Sequence, residues 1–147
     1  MSVALLDVNF LLALAWPNHV HHGLAREWFK NHQSEGWATS PITQLGFVRI
    51  SSNPAFSKDA VSFVEAHSQM TAMMSRPNHH FWQDDLSCSN ERFSELHIMG
   101  HRQVTDAYLL TLAIHHEGRL VTLDQGISNL LPHQSPWAQH LCIVRDV

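Results

Sequence analysis

Short, wholly apolar runs alternate with amphipathic stripes along this chain. Val3-Ala4-Leu5-Leu6 is apolar at every position and of strand length, which suggests a strand covered on both faces, as in a parallel sheet. Asp7-Val8-Asn9 follows, then a second apolar run to Trp16 that Pro17-Asn18 ends. From 19 to about 32, Val20, Leu24, Ala25, Trp28 and Phe29 recur at three- and four-residue spacing with Arg26, Glu27 and Lys30 between them, predicting an amphipathic helix. Gly36 closes a polar turn and Trp37-Ala38-Thr39 predicts a second strand. Ser40-Pro41 then reads as the N-cap and first position of a helix to about Ile50, which Ser51-Ser52-Asn53-Pro54 stops.

The second half repeats the alternation. Ser57 is placed to cap a helix over 58–74, broken by Arg76-Pro77-Asn78, and His79-His80-Phe81-Trp82 predicts a short strand. Residues 90–96 predict a short helix. Residues 104–116 predict a helix so apolar around Ala107 to Ile114 that it is buried on most sides, with Gly118 as its C-cap. Strands are expected over 119–123 and 141–144. The order predicts an α/β, three-layer domain with a central, mainly parallel sheet flanked by helices. With no repeat, low-complexity run or linker, one domain over 1–147 is expected.

Composition narrows the compartment and the partners. At 147 residues, 44% of them apolar, the chain can bury a core without disulfides or a structural metal. Cys88 and Cys142 match no metal or redox spacing and read as reduced thiols of a cytoplasmic protein. The apolar N-terminus has no basic segment before it, is interrupted by Asp7 and Asn9, and is shorter than the ~20 residues of a membrane span, so a soluble, untargeted chain is expected. Nine Lys plus Arg against thirteen Asp plus Glu leave a formal charge of −4, so any nucleic-acid contact must be local. The thirteen histidines are scattered and complete no HExxH pattern; His19 and His21 come nearest to a ligand pair, and capping or solvated roles are expected for the set.

The chemistry is expected at the ends of strands. In open parallel sheets the ligand crevice lies beyond the strands' carboxyl ends, and Asp7 and Asp124 each follow an apolar strand there. If those strands are neighbours, ~4.8 Å apart, both carboxylates open into one pocket. Asp106 lies in the first turn of the apolar helix leading into the second of them. Singly, each reads equally as a turn residue or a helix cap. Together, three carboxylates raise one another's pKa unless a cation neutralises them, and hard oxygen ligands without a thiolate favour Mg²⁺ or Mn²⁺. Such an ion suits phosphodiester hydrolysis.

The opening LLDVNFLLALAWPNH, the middle SPITQLGFVRISSNP and the late VTDAYLLTLAIHHEGRLVTLDQG are collinear with, and similar to, the PIN-domain ribonucleases, specifically the VapC-type toxins of prokaryotic toxin–antitoxin modules. The resemblance spans nearly the whole chain. It implies a PIN fold, a Mg²⁺- or Mn²⁺-dependent endoribonuclease acting on RNA, homodimerisation and a cognate antitoxin protein. By position, Asp7, Asp106 and Asp124 match three of the family's acidic residues, as catalytic and metal-holding groups. The chain departs at position 44, where the family commonly has glutamate and this chain has Gln44; its amide oxygen can still ligate a hard cation, but a second metal is weakened. Asn9 stands where the family usually carries a small polar residue, and reads either as an orienting group for a water or phosphate or as an N-cap.

Asp84, Asp85 and Glu91 read as turn residues. Arg49, Arg102 and Arg119 flank the motif segments and are the best placed basic residues to meet an RNA backbone. Of the five tryptophans, Trp16 beside its Pro-Asn turn is the one expected free to stack on a base. A catalytically degenerate PIN-like module that binds an antitoxin or RNA is the alternative Gln44 raises. A phosphatase of the haloacid-dehalogenase kind also starts with an aspartate after its first strand, but wants a second where Asn9 stands.

Overall fold

The computed structural model describes residues 2–146. Its five strands are β1 (Ala4–Leu6), β2 (Trp37–Thr39), β3 (His79–Phe81), β4 (Arg119–Thr122) and β5 (Leu141–Ile143). They form one sheet in the order β3-β2-β1-β4-β5, every neighbouring pair parallel. Parallel neighbours need a crossover, and the helices supply it. These are α1 (Val8–Ala15), α2 (His22–His32), α3 (Pro41–Ser51), α4 (Phe63–Met74) and α5 (Val104–His115).

Alternation along the strands splits the core into two layers. Ala4, Leu6, Trp37 and Val121 face α1 to α4 and pack with Phe10, Leu11, Phe29, Phe47 and Met70. Leu5, Ala38 and Leu120 face the other way, onto Leu109, Leu110, Leu112 and Ala113 of α5. That explains why α5 is apolar nearly all round: one side meets the sheet, and another is covered by Trp82, Leu96, Ile127 and Leu130. The three-layer α/β arrangement matches the expectation. Among the described residues, no helix is long and apolar enough to cross a membrane.

Three local expectations are corrected. The helix over 58–74 begins at Phe63, capped by Ser62, whose hydroxyl accepts from the Glu65 amide at 3.1 Å. Ser57 instead holds a turn through the Asp59 amide. Helix α2 starts at His22, three residues late, because His19 and His22 close turns after Pro17. The left-handed residue ending α5 is Glu117 (φ 57°), and Gly118 has another reason to be glycine.

A Cβ on Gly118 would stand 2.5 Å from the Val3 carbonyl and 2.7 Å from the Trp82 ring. The Arg119 amide donates to that same carbonyl at 3.0 Å, at the start of the β1–β4 pairing. Gly118→Ala is therefore expected to cost about 1–3 kcal/mol of stability, read as a lowered urea midpoint. An unchanged midpoint would show that β4 can shift away from β1 at its amino end without loss.

Candidate active site

The chain starts at the sheet's centre, moves outward to β2 and β3, then returns to the other side of β1 with β4 and β5. The reversal opens a crevice at the carboxyl ends of β1 and β4. Asp7 immediately follows β1 and Asp124 lies two residues beyond β4, while α5 carries Asp106 in its first turn. The two strands pair directly, Leu6 opposite Val121. The neighbouring strands on which that expectation depends are thus present in the sheet.

Asp7 is nearly inaccessible and spends both oxygens locally. Oδ1 accepts from the Val8 amide at 2.8 Å, capping α1, where a negative charge is favoured by the helix dipole. Oδ2 accepts from the Thr122 hydroxyl at 2.7 Å. Thr122 Oγ1 in turn accepts from the Asp124 amide at 3.1 Å and from Asn9 Nδ2 at 3.2 Å. Asn9 Oδ1 receives the Leu123 amide at 3.1 Å. One hydroxyl and one amide therefore lock the end of β4 to the start of α1, and with it the separation of Asp7 from Asp124. Asp124 Oδ1 accepts from the Gly126 amide at 2.8 Å, opening the turn Gln125–Leu130.

The electrostatics tie the three acids together. Burial raises the Asp7 carboxyl above its ordinary value, hydrogen bonds from Thr122 and Val8 pull against that, and the charge of Asp124 adds to the rise. Asp106 is pushed up to about 6, by burial first and then by the charges of Asp7 and Asp124. Raised acids clustered at a cleft mark a candidate functional site. No three Asp, Glu, His or Cys side chains among the described residues already stand close enough to grip one ion. The three side chains offer hard oxygen donors, and among the described residues none of them is in a salt bridge. That suits Mg²⁺, or Mn²⁺ in similar coordination, held through one or two carboxylates with water and substrate oxygens completing the shell.

The remaining expectations sort by position. Asn9 lies inside α1, whose cap is Asp7, so its N-cap reading is excluded and its bonds are those to β4. Gln44 makes no hydrogen bond to the three acids; its Nε2 donates to Thr39 Oγ1 at 2.9 Å. Gly46 brings α3 against α1 so closely that a Cβ there would stand 2.7 Å from Val8, the residue after Asp7. Asp84 Oδ2 accepts from the Ile42 amide at the start of α3, a capping role, and Glu91 opens a 3₁₀ turn.

Arg119 sits at the amino end of β4, opposite the cleft, paired with Glu35 at 2.9 Å. Arg49 lies in the last turn of α3, also away from the carboxyl edge. Arg102, exposed and four residues before Asp106, is the basic residue of the three at the right end. Trp16 is not free: its ring stacks on Phe47 at 5.8 Å and its Nε1 donates to Ser51. His19 spends Nδ1 on the His21 amide, while His22, His32 and His140 bond backbone carbonyls, as capping groups do. The residue that reading by acids alone overlooks is Thr122. A threonine within an apolar strand, two residues before a strand-end aspartate and facing the same way, was the available signal.

The sequence matches the family model for the PIN domain over residues 4–130. It is 45% identical over 130 residues to Ribonuclease VapC39 of Mycobacterium tuberculosis, covering 86% of this chain and 91% of that protein. It is 46% identical over 128 residues to Ribonuclease VapC38 of the same organism, covering 87% and 89%. Among solved structures, VapBC2 from Rickettsia felis bound to a promoter DNA fragment aligns with TM-score 0.65 at 15% identity, over 97% of this chain and 99% of that one. VapC20 of M. tuberculosis, described as a sarcin-ricin loop cleaving toxin, aligns with TM-score 0.60 at 12% identity, over 85% and 92%.

Proposed function

The chain belongs to the PIN-domain family, among its VapC proteins, and from that membership we propose that it is a metal-dependent endoribonuclease and the toxin of a type II toxin–antitoxin module. The observation that carries this reading is the convergence of Asp7, Asp106 and Asp124 on one end of the sheet, where burial and the neighbouring acid charges raise the carboxyls of Asp7 and Asp106. The names of the relatives, ribonucleases at 45–46% identity, support the same reaction. Asp7, Asp106 and Asp124 are the residues that hold Mg²⁺ or Mn²⁺. Such an ion, when bound, lowers the pKa of a water and offsets charge building on a phosphoryl oxygen.

The protein's own groups prepare that chemistry. The Thr122 hydroxyl fixes Asp7 Oδ2, leaving each Asp7 oxygen a lone pair directed away from its present partner. Asn9 holds the β4 end, so Asp124 keeps its distance from Asp7 when charge enters the cleft. Arg102, beside the cleft on an otherwise acidic chain, is placed to meet a phosphate of the RNA.

An antitoxin partner is part of the proposal. A groove of about 450 Å³, lined by Leu12, Trp16, Ile50, Phe56 and Val61, carries Phe56 at 69% exposure, and Phe63 and Val64 open α4 at 62% and 70%. Apolar groups left so exposed favour capture of an apolar segment.

Because the cleaved RNA is unidentified, the test begins with the metal. Calorimetry with Mn²⁺ on the wild type and on Asp124→Asn is expected to show binding that the substitution weakens by at least about tenfold, or 1.4 kcal/mol. No binding by the wild type would overturn the metal assignment and leave a non-catalytic module that binds an antitoxin or RNA.

A further inference from the structure

A cavity of about 420 Å³ opens at the β5 edge of the sheet, where Leu131, His133, Gln134, Leu141, Ile143 and Arg145 line it. The backbone ties it to Asp124 in two ways. Strand β5 pairs with β4 in parallel, Ile143 opposite Thr122, and the ladder runs one residue further, where the Val144 amide donates to the Thr122 carbonyl at 2.9 Å. Leu123 and Val144 both pack into the layer of α1 to α4. By alternation, the next residues, Asp124 and Arg145, turn together to the α5 side on chains ~4.8 Å apart. Asp124 also caps the turn Gln125–Leu130, and Ser128 of that turn lines the same cavity.

Arg145 is exposed, and among the described residues it is in no salt bridge, even with Asp124 beside it. Other arginines have partners: Arg119 has Glu35, and Arg92 has Glu95 and the Trp137 ring. On a chain of net charge −4, an unpaired guanidinium at the carboxyl edge is placed for an incoming anion, and its planar fork matches two phosphate oxygens. The rest of the lining is of another kind. Leu131, Leu141 and Ile143 are half-buried and apolar. Gln134 is exposed with φ 56°, in the left-handed region that favours glycine, so an amide side chain is kept where bare backbone is easier. A cationic end, an apolar floor and a polar rim are the complement of one unpaired nucleotide: its phosphate, its base face and its base edge.

We propose that this cavity is a nucleotide subsite of the catalytic cleft, in which Arg145 holds a backbone phosphate next to the one cleaved, Leu131, Leu141 and Ile143 take the unpaired base, and Gln134 reads its edge. The subsite rests on the reading of the chain as a ribonuclease working at Asp124. All five residues lie beyond residue 130, where the match to the family model ends, which suits a part that selects RNA rather than cuts it.

Binding without metal tests the subsite apart from cleavage. Fluorescence anisotropy in EDTA, with labelled oligouridylate and oligoadenylate of about eight nucleotides, compares wild type, Arg145→Ala, Arg145→Lys and Gln134→Gly. Arg145→Ala is expected to weaken both RNAs about three- to tenfold and to flatten the slope of log affinity against log salt by about 0.7, the share of one single-strand phosphate; Arg145→Lys should keep the slope. Gln134→Gly suits the left-handed turn, so the fold should hold; it is expected to keep the slope and to change the ratio of the two affinities at least about threefold. Wild type that binds neither RNA, or Arg145→Ala with unchanged affinity and slope, would overturn the subsite, and an unchanged ratio in Gln134→Gly would overturn its base-reading half. Arg49→Ala, in the last turn of α3 and away from the carboxyl edge, is the control: an equal loss there would reduce Arg145 to general charge. An oligoglutamate peptide of the same length that binds more tightly than either RNA would make the occupant an acidic protein segment instead. Mn²⁺ calorimetry on Asp124→Asn reports on the underlying reading alone. Metal binding weakened there, with RNA binding indifferent to Arg145, sinks only the subsite; wild type that binds no Mn²⁺ sinks the cleavage site to which the subsite belongs.

Discussion

Asp7→Asn is expected to reduce cleavage of an RNA that the wild type cuts by on the order of 10²–10³-fold, while leaving the metal-free protein at least as stable. The fold should survive because asparagine can reproduce both bonds. Its oxygen accepts from the Val8 amide, and its NH₂ donates to Thr122, whose own proton can turn to Asn9 Oδ1 at 3.3 Å. Stability should rise because a buried charge near Asp124 is removed, and burial is the main cause of its raised pKa. Loss of activity with a raised melting temperature is the signature of a group retained for chemistry at the expense of the fold. Cleavage at the wild-type rate would remove Asp7 from the mechanism. Loss of activity with a lowered melting temperature would instead assign it the role of helix cap.

Much of this fold was legible because its punctuation is local. Ser40-Pro41 and the three-residue run before it placed β2 and α3, since Pro at the first helical position needs no amide partner. Where two local signals compete, the reading slipped. Ser57 and Ser62 can both cap, and Ser62 wins because Glu65 stands three residues on, in the capping-box spacing. Gly118 looked like a left-handed cap, but the contact that requires glycine is with Val3 and Trp82, far away in sequence. No window around residue 118 contains that information.

The site divides in the same way. Asp7 and Asp124 were legible from strand ends, because a parallel sheet directs its loops into one crevice. The roles of Thr122 and Asn9 depend on pairings more than a hundred residues apart, which only the sheet order supplies. Arg119 shows the opposite error. Its nearness to Asp124 in sequence suggested nearness to the cleft, yet a strand's two ends are opposite ends of the sheet, and Arg119 meets Glu35 there.

Affinity for Mn²⁺ is expected to fall about tenfold between pH 7 and pH 5. Asp106 is pushed up to about 6, so it is a carboxylate at the first pH and mostly protonated at the second. The proton must leave before an oxygen can ligate, and one unit below its pKa a single carboxyl is ionised only about a tenth of the time. Stability of the metal-free protein moves the other way. A carboxyl whose folded pKa lies above the ordinary 3.8 binds more protons folded than unfolded, so stability drops as pH rises from about 4 through 6, and the penalty is complete above that. Histidines oppose this. His19, His79 and His116 are held below 6.5, chiefly by burial, and their contribution is lost as pH falls past that value. Comparison with Asp106→Asn separates the two: the variant should melt higher than wild type at pH 7, and the gap should close towards pH 4. Saturating Mn²⁺ should narrow the gap at pH 7 by stabilising the wild type more than the variant. An affinity that stays level from pH 7 to pH 5 would exclude Asp106 from the metal site, because no ligand with a pKa near 6 can be indifferent to protons in that range.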